Sequence, residues 1–279
     1  MWISLWFACQ PQSPELLVAP DASRDGAPGF AGPFGVLVDT TAAQARVVDR
    51  VVYDVLTPTV DGTTPADGPL PLIALVQGGL VTRERYQWLG AHAASRGYVV
   101  VMPDHDLDLA LFTSANAAYA VDDLLRERPS LVDPAAPRAA VGHSLGGVVS
   151  AQLWAADARW TTLVLLASYP AGGTPVEDRA GPVLSIRGAE DGLATAADVE
   201  AGFARFNDPR WLATVDGMTH FDWTDDATDD EKARDGTSTR PTDESRADAA
   251  RVIDTLLDAT LRGGDLSAMD AAFPGVEVQ

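Results

Sequence analysis

Residues 140–147 run Ala140, Val141, Gly142, His143, Ser144, Leu145, Gly146, Gly147, and no other stretch restricts the fold as strongly. The G-x-S-x-G spacing of Gly142, Ser144 and Gly146 fits a tight strand-to-helix turn, where glycine removes side chains that would collide. The flanks agree. Residues 138–141 read as a short strand, and residues 148–155 as a helix of small and apolar residues. A turn of this kind presents the Ser144 hydroxyl at the carboxyl edge of a sheet. It also aims the backbone N–H of Leu145 at the same point, beside the positive end of a helix dipole.

The rest of the chain alternates in a matching way. Strands are predicted over 47–56, 72–76, 98–102, 138–141, 162–166, 183–187 and 211–215, and helices over 83–96, 116–127, 144–155, 195–206 and 244–261. Short, fully apolar strands between helices predict a mostly parallel central sheet with helices on both faces. Residues 10–34, rich in Pro, Gly, Ala and Asp, read as a linker with little regular structure, and 57–68 as a hairpin-type loop. The expected organisation is an apolar segment plus linker over 1–34 and one domain over 35–279. No internal repeat and no second core-forming block suggest otherwise.

A serine hydroxyl needs a base to take its proton. Of the four histidines, His220 follows the last strand of the alternation and completes the order serine, acid, histidine. His143 lies inside the turn with its side chain expected to face away from the reactive side, yet near enough to the substrate pocket to count as lining. His92 is expected on a helix surface. His105, between Asp104 and Asp106, reads as a loop histidine near the same sheet edge. The acid should follow strand 183–187, where Asp191 precedes Gly192; Glu190 competes, since a shift of one residue exchanges them. The loop after Val76 should supply a second oxyanion donor, Gly79 N–H, with Leu80 as the alternative and as a residue against the substrate. These parts predict acyl transfer on a small or medium ester with no metal. A non-catalytic binding protein on the same fold, or amide or peracid chemistry on the same residues, are the competing readings.

Composition narrows the partners. Twenty basic against 40 acidic residues leave a net charge of −20, a surface that repels nucleic acid and anionic membranes. Residues 222–245 hold nine acidic and three basic residues. They read as a solvated, poorly ordered loop rather than a flap or a cation site. No stretch is long and apolar enough for a transmembrane helix. The one cysteine, Cys9, ends a short apolar run and precedes a polar, Pro-containing stretch. This is similar to the end of a bacterial lipoprotein signal and predicts an extracytoplasmic, lipid-anchored protein; without that anchor a cytoplasmic location is expected.

The set Val76 to Gly79, Trp88 to Gly90, Arg96 to Val100, Pro103 and Asp104, Gly142 to Gly146, Gly188 to Asp191 and Thr219 to Phe221 resembles the α/β-hydrolases. Within them it resembles the dienelactone-hydrolase-like branch, with bacterial cutinase-like polyester hydrolases and platelet-activating-factor acetylhydrolase-like esterases as the nearest patterns. The resemblance covers residues 34–262 and implies the α/β-hydrolase fold, a cofactor-free Ser-His-Asp triad, and Tyr169 as an aromatic wall of the substrate site. The chain departs from the branch in several places. True dienelactone hydrolases carry cysteine at the position of Ser144. Polyester hydrolases place an aromatic residue at the position of Gly79, some have tryptophan at that of His143, and they use a C-terminal disulfide that one cysteine cannot form.

Overall fold

A computed structural model describes residues 13–44, 50–104 and 114–279. Cys9 and His105 lie outside these residues. In chain order the described elements are β1 (Glu15–Val18), β2 (Gly35–Gln44), β3 (Arg50–Thr59), β4 (Leu72–Val76), α1 (Gln87–Ser95), β5 (Val99–Pro103), α2 (Ser114–Glu127), β6 (Arg138–His143), α3 (Leu145–Ala156), β7 (Trp160–Leu166), β8 (Val183–Gly188), α4 (Ala196–Phe203), β9 (Arg210–Val215), α5 (Asp229–Lys232), α6 (Thr242–Leu261) and β10 (Val276–Val278).

All ten strands form one sheet in the order β1-β2-β3-β5-β4-β6-β7-β8-β9-β10. The centre, from β5 through β9, is parallel. The margins β1-β2-β3-β5 and β9-β10 are antiparallel. The central strands are buried on both faces, so their side chains divide between two cores with a period of two. In β4, Ile73 and Leu75 join one core while Leu72, Ala74 and Val76 join the other. The first core packs under α1 and α6 through Leu89, Ala93, Val252 and Leu256; the second packs under α2 and α3 through Val121, Leu124, Val149 and Leu153. This is the α/β-hydrolase arrangement that the sequence led us to expect.

β2 and β10 are strands that the sequence does not predict, and three further stretches differ from that expectation. Within 10–34, residues Glu15–Val18 form a strand on the edge of β2. Residues 57–59 continue β3, and β3 and β4 are not joined as a hairpin, because β5 lies between them in the sheet. Residues 222–245 pack on the domain: Trp223 is fully buried and stacks on Trp88 with centroids 6.4 Å apart. Asp225 N–H donates to Arg85 O at 2.7 Å. Acidic composition hid these tertiary contacts, whose partners lie far away in sequence. Among the described residues no helix is long and apolar enough to cross a membrane.

Candidate active site

β6 ends at His143 and α3 starts at Leu145, leaving Ser144 alone to make the turn. Its backbone has φ 51° and ψ −124°, a conformation that costs a residue with a side chain on the order of 1–3 kcal/mol. The surroundings enforce it. Ser144 N–H donates to Leu166 O at 2.9 Å, and Gly147 N–H donates to Ser144 O at 3.0 Å. Ser168 Oγ donates to the same carbonyl at 2.5 Å. A Cβ on Gly142 would lie 2.2 Å from Gly146 O, and one on Gly146 would lie 2.2 Å from Val76 O. Both positions therefore exclude any side chain.

Ser144, His220, Gly79, Leu145 and Tyr169 line one pocket of about 360 Å³, which Val81, Val148, Leu193 and Phe221 make largely apolar. The pocket sits at the carboxyl edge of β6, β8 and β9, where loops from three parallel strands meet. His220 follows β9 and starts a short 3-10 turn, Phe221–Trp223. Its Nδ1 is 3.0 Å from Asp191 Oδ2 and 3.2 Å from Oδ1. The carboxylate is held in turn: Asp191 Oδ1 accepts N–H groups from Leu193 at 2.9 Å and Ala194 at 2.7 Å. Glu190 points elsewhere, with Oε1 3.5 Å from Thr239 Oγ1. The loop register thus brings Asp191, and not Glu190, to the imidazole. Among the described residues no hydrogen bond joins Ser144 Oγ to His220.

The loop after β4 reaches the same place. A Cβ on Gly79 would lie 2.3 Å from Leu145 Cδ1, so the two expected oxyanion residues are neighbours. Neither Gly79 nor Leu80 N–H is taken by another backbone group among the described residues. Leu145 N–H stands in the first turn of α3, where helix N–H groups have no intrahelical partner. Leu80, expected against the substrate, has φ 62° and is 74% exposed, and it is not among the residues lining the pocket. A left-handed backbone at the loop tip turns its side chain outward.

His143 also departs from expectation. Its ring does not face away; it is buried against the His220 ring, with centroids 4.5 Å apart. Burial, and secondarily the neighbouring His220, hold it well below the ordinary imidazole value, so it stays neutral. Its partner is Tyr86, whose hydroxyl accepts Gly78 N–H at 2.9 Å and lies 2.8 Å from His143 Nδ1. The tyrosine proton is then free to be donated to Nδ1. In the sequence Tyr86 stands out only as a member of the helix predicted over 83–96. His92, expected on the surface, instead faces inward with Nε2 2.9 Å from Asp254 Oδ2.

Among known proteins, no match to a curated protein was found. A solved ferulic acid esterase from Streptomyces cinnamoneus superposes with a TM-score of 0.74 at 18% identity, covering 94% of this chain and all 100% of that one. At that identity the likeness is one of fold. The model of the alpha/beta hydrolase family matches residues 72–242. That match takes in more than half of the chain, from the first parallel strand through the serine turn and acid loop to His220, and it makes the chain a member of the alpha/beta hydrolase family.

Proposed function

We propose that the protein is a serine carboxylic-ester hydrolase in which Ser144 is the nucleophile, His220 the base and Asp191 the acid that orients it. The observation that carries this reading is the convergence of the strained Ser144 turn and the Asp191–His220 pair on one largely apolar pocket. In the reaction His220 Nε2 takes the Ser144 proton as Oγ attacks the ester carbon. Such nucleophile–base contacts are often long in the free enzyme and tighten with substrate bound. The oxyanion is met by N–H groups of Leu145 and Gly79, donors fixed in place before charge develops. His220 then returns the proton to the leaving alcohol, and water cleaves the acyl-enzyme by the same steps. Asp191 keeps Nδ1–H pointed at itself and so leaves Nε2 free to accept.

Pocket size and lining favour a small or medium neutral acyl group, with Tyr169 as an aromatic wall. The test is hydrolysis of p-nitrophenyl esters from acetate to palmitate and of a ferulate ester, with Ser144→Ala as control, alongside fluorophosphonate labelling. We expect turnover of the shorter esters and stoichiometric labelling at Ser144, both lost in Ser144→Ala. Label on another residue, or full activity in Ser144→Ala, would overturn the assignment. A folded protein that neither labels nor turns over any ester would favour a non-catalytic binding role.

A further inference from the structure

The acidic stretch 222–245 sends one side chain into the framework behind the pocket. Asp235 Oδ1 accepts the N–H of Gly192 at 2.9 Å and that of Gly236 at 2.7 Å. Its Oδ2 accepts the N–H of Phe221 at 2.8 Å. Gly192 follows Asp191 directly, and Phe221 follows His220 directly. A single carboxylate therefore ties together the two loops whose side chains must meet for the imidazole to be oriented.

The contact is tight and anchored from both sides. A Cβ on Gly236 would lie 1.7 Å from Glu190 O, and one on Gly192 would lie 2.5 Å from Gly236 N. At the other end of the stretch, Arg85 binds both carboxylate oxygens of Glu231 at 2.8 and 2.7 Å, and Asp226 Oδ1 at 2.8 Å. Residues 222–240 act as a strap, fixed to Arg85 through Asp226 and Glu231 and, through Asp235, between the acid and histidine loops. The chemistry at position 235 is demanding as well. Three N–H donors converge on one side chain, and an ionised carboxylate satisfies them because it only accepts. An amide would turn its own N–H₂ toward one of them.

We propose that Asp235 is a positioning residue that sets the spacing of the Asp191–His220 pair, touching neither substrate nor reacting atoms. This rests on the ester-hydrolase reading above. The Nδ1 to Oδ2 separation of 3.0 Å depends on how far apart the two loops stand, and a misplacement of about 1 Å can cost roughly 100-fold in rate.

The experiment uses the full chain as Asp235→Ala and Asp235→Asn, with Ser144→Ala in parallel. It measures kcat and KM for a p-nitrophenyl ester across pH, and the hydrogen-bonded Nδ1–H proton resonance of His220. We expect Asp235→Ala to lose about 10- to 100-fold in kcat with little change in KM. The pH profile of kcat/KM should change as well, since proton transfer depends on how the base is held. The Nδ1–H resonance should shift or broaden away. Asp235→Asn, which keeps one acceptor oxygen, should fall between wild type and alanine; it carries the test if the alanine variant does not fold. A residue needed only for stability would lower the melting temperature and leave the pH profile and the resonance in place; that result overturns the proposal. If Ser144→Ala is inactive while both Asp235 variants match wild type in all three readouts, this inference alone fails. If Ser144→Ala retains activity, the ester-hydrolase reading fails, and the Nδ1–H resonance still reports whether Asp235 holds the pair.

Discussion

Asp191 and Glu190 are adjacent carboxylates in one loop, yet their surroundings assign them different work. Asp191 is satisfied by two backbone N–H groups and the His220 ring, while the Glu190 carboxylate makes a long contact to Thr239. Asp191→Asn should keep the loop near its place but present an amide to Nδ1, favouring the wrong tautomer and costing about 10⁴-fold in kcat if the proposed mechanism holds, the loss known for Ser-His-Asp triads. Glu190→Gln should cost little. Steady-state kinetics of the two variants decide it, and the reverse ranking would sink the acid assignment. His143 gives a second prediction, on stability. Its folded-state value lies below the ordinary 6.5 because the ring is buried beside His220. Between the two values the unfolded chain binds more protons, so stability rises with pH there. The contribution is complete above about pH 6.5 and is lost as pH falls below it, with a limiting slope of about 1.4 kcal/mol per pH unit. Urea midpoints from pH 8 to 5 should fall less steeply in His143→Gln than in wild type; parallel curves would contradict the buried, neutral assignment.

Among the elements, the strap formed by residues 222–240 has the least local reason to be ordered. Its one α-helix, α5, is four residues long and begins with a capping box between Thr228 and Glu231. Arg85 supplies the missing tertiary hold and pulls Glu231 down to about 2. A lowered carboxylate value means stability that is complete above the unfolded value of about 4.5 and lost as pH falls toward about 2. Arg85→Ala should therefore loosen the strap near neutral pH, where wild type holds it. Trypsin cleavage after Lys232 and Arg234 reads the loosening directly, and losing charge-assisted bonds worth about 1.5–3 kcal/mol should speed it roughly 10-fold or more. Unchanged cleavage would mean that the Trp223 stack and the Asp235 bonds hold the segment without Arg85. The strap also marks the limit of what the sequence makes legible. Ser144, Asp191 and His220 can be found because a spaced motif and chain order carry them. Asp235 and Tyr86 cannot, since their partners are backbone N–H groups and a histidine on distant elements, with no spacing to follow. Central strands such as β4 and β5 stand out as apolar runs. β2 does not, because its second half, Thr40 through Gln44, carries no such run.

For the molecule as a whole, sheet order explains how remote segments meet. β6, β7, β8 and β9 are consecutive neighbours, so the serine, acid and histidine loops leave the same edge side by side. The outer member of that set, β9, would present a bare strand edge if β10 did not cover it. β10 pairs with it from Val276 to Val278, Leu212 and Gln279 exchange two backbone bonds at 3.0 and 2.9 Å, and Asp216 N–H donates to Gly275 O at 2.9 Å. The connection from α6 also buries Met269 completely. Deleting residues 265–279 should have two separable effects. Losing Met269 alone should cost about 2–5 kcal/mol, the usual range for removing a large buried side chain. Uncovering β9 adds a free edge able to pair with another chain, although the net charge of −20 opposes close approach. Met269→Ala should therefore lower the urea midpoint and keep the association state of the wild type. The truncated chain should be less stable still and should associate with rising concentration and salt in light scattering, as salt screens the repulsion. It should also lose activity, because the freed strand is the one that carries His220. A truncated chain that associates no more than the wild type in high salt, with the stability of Met269→Ala, would show that β10 neither protects nor supports the β9 edge.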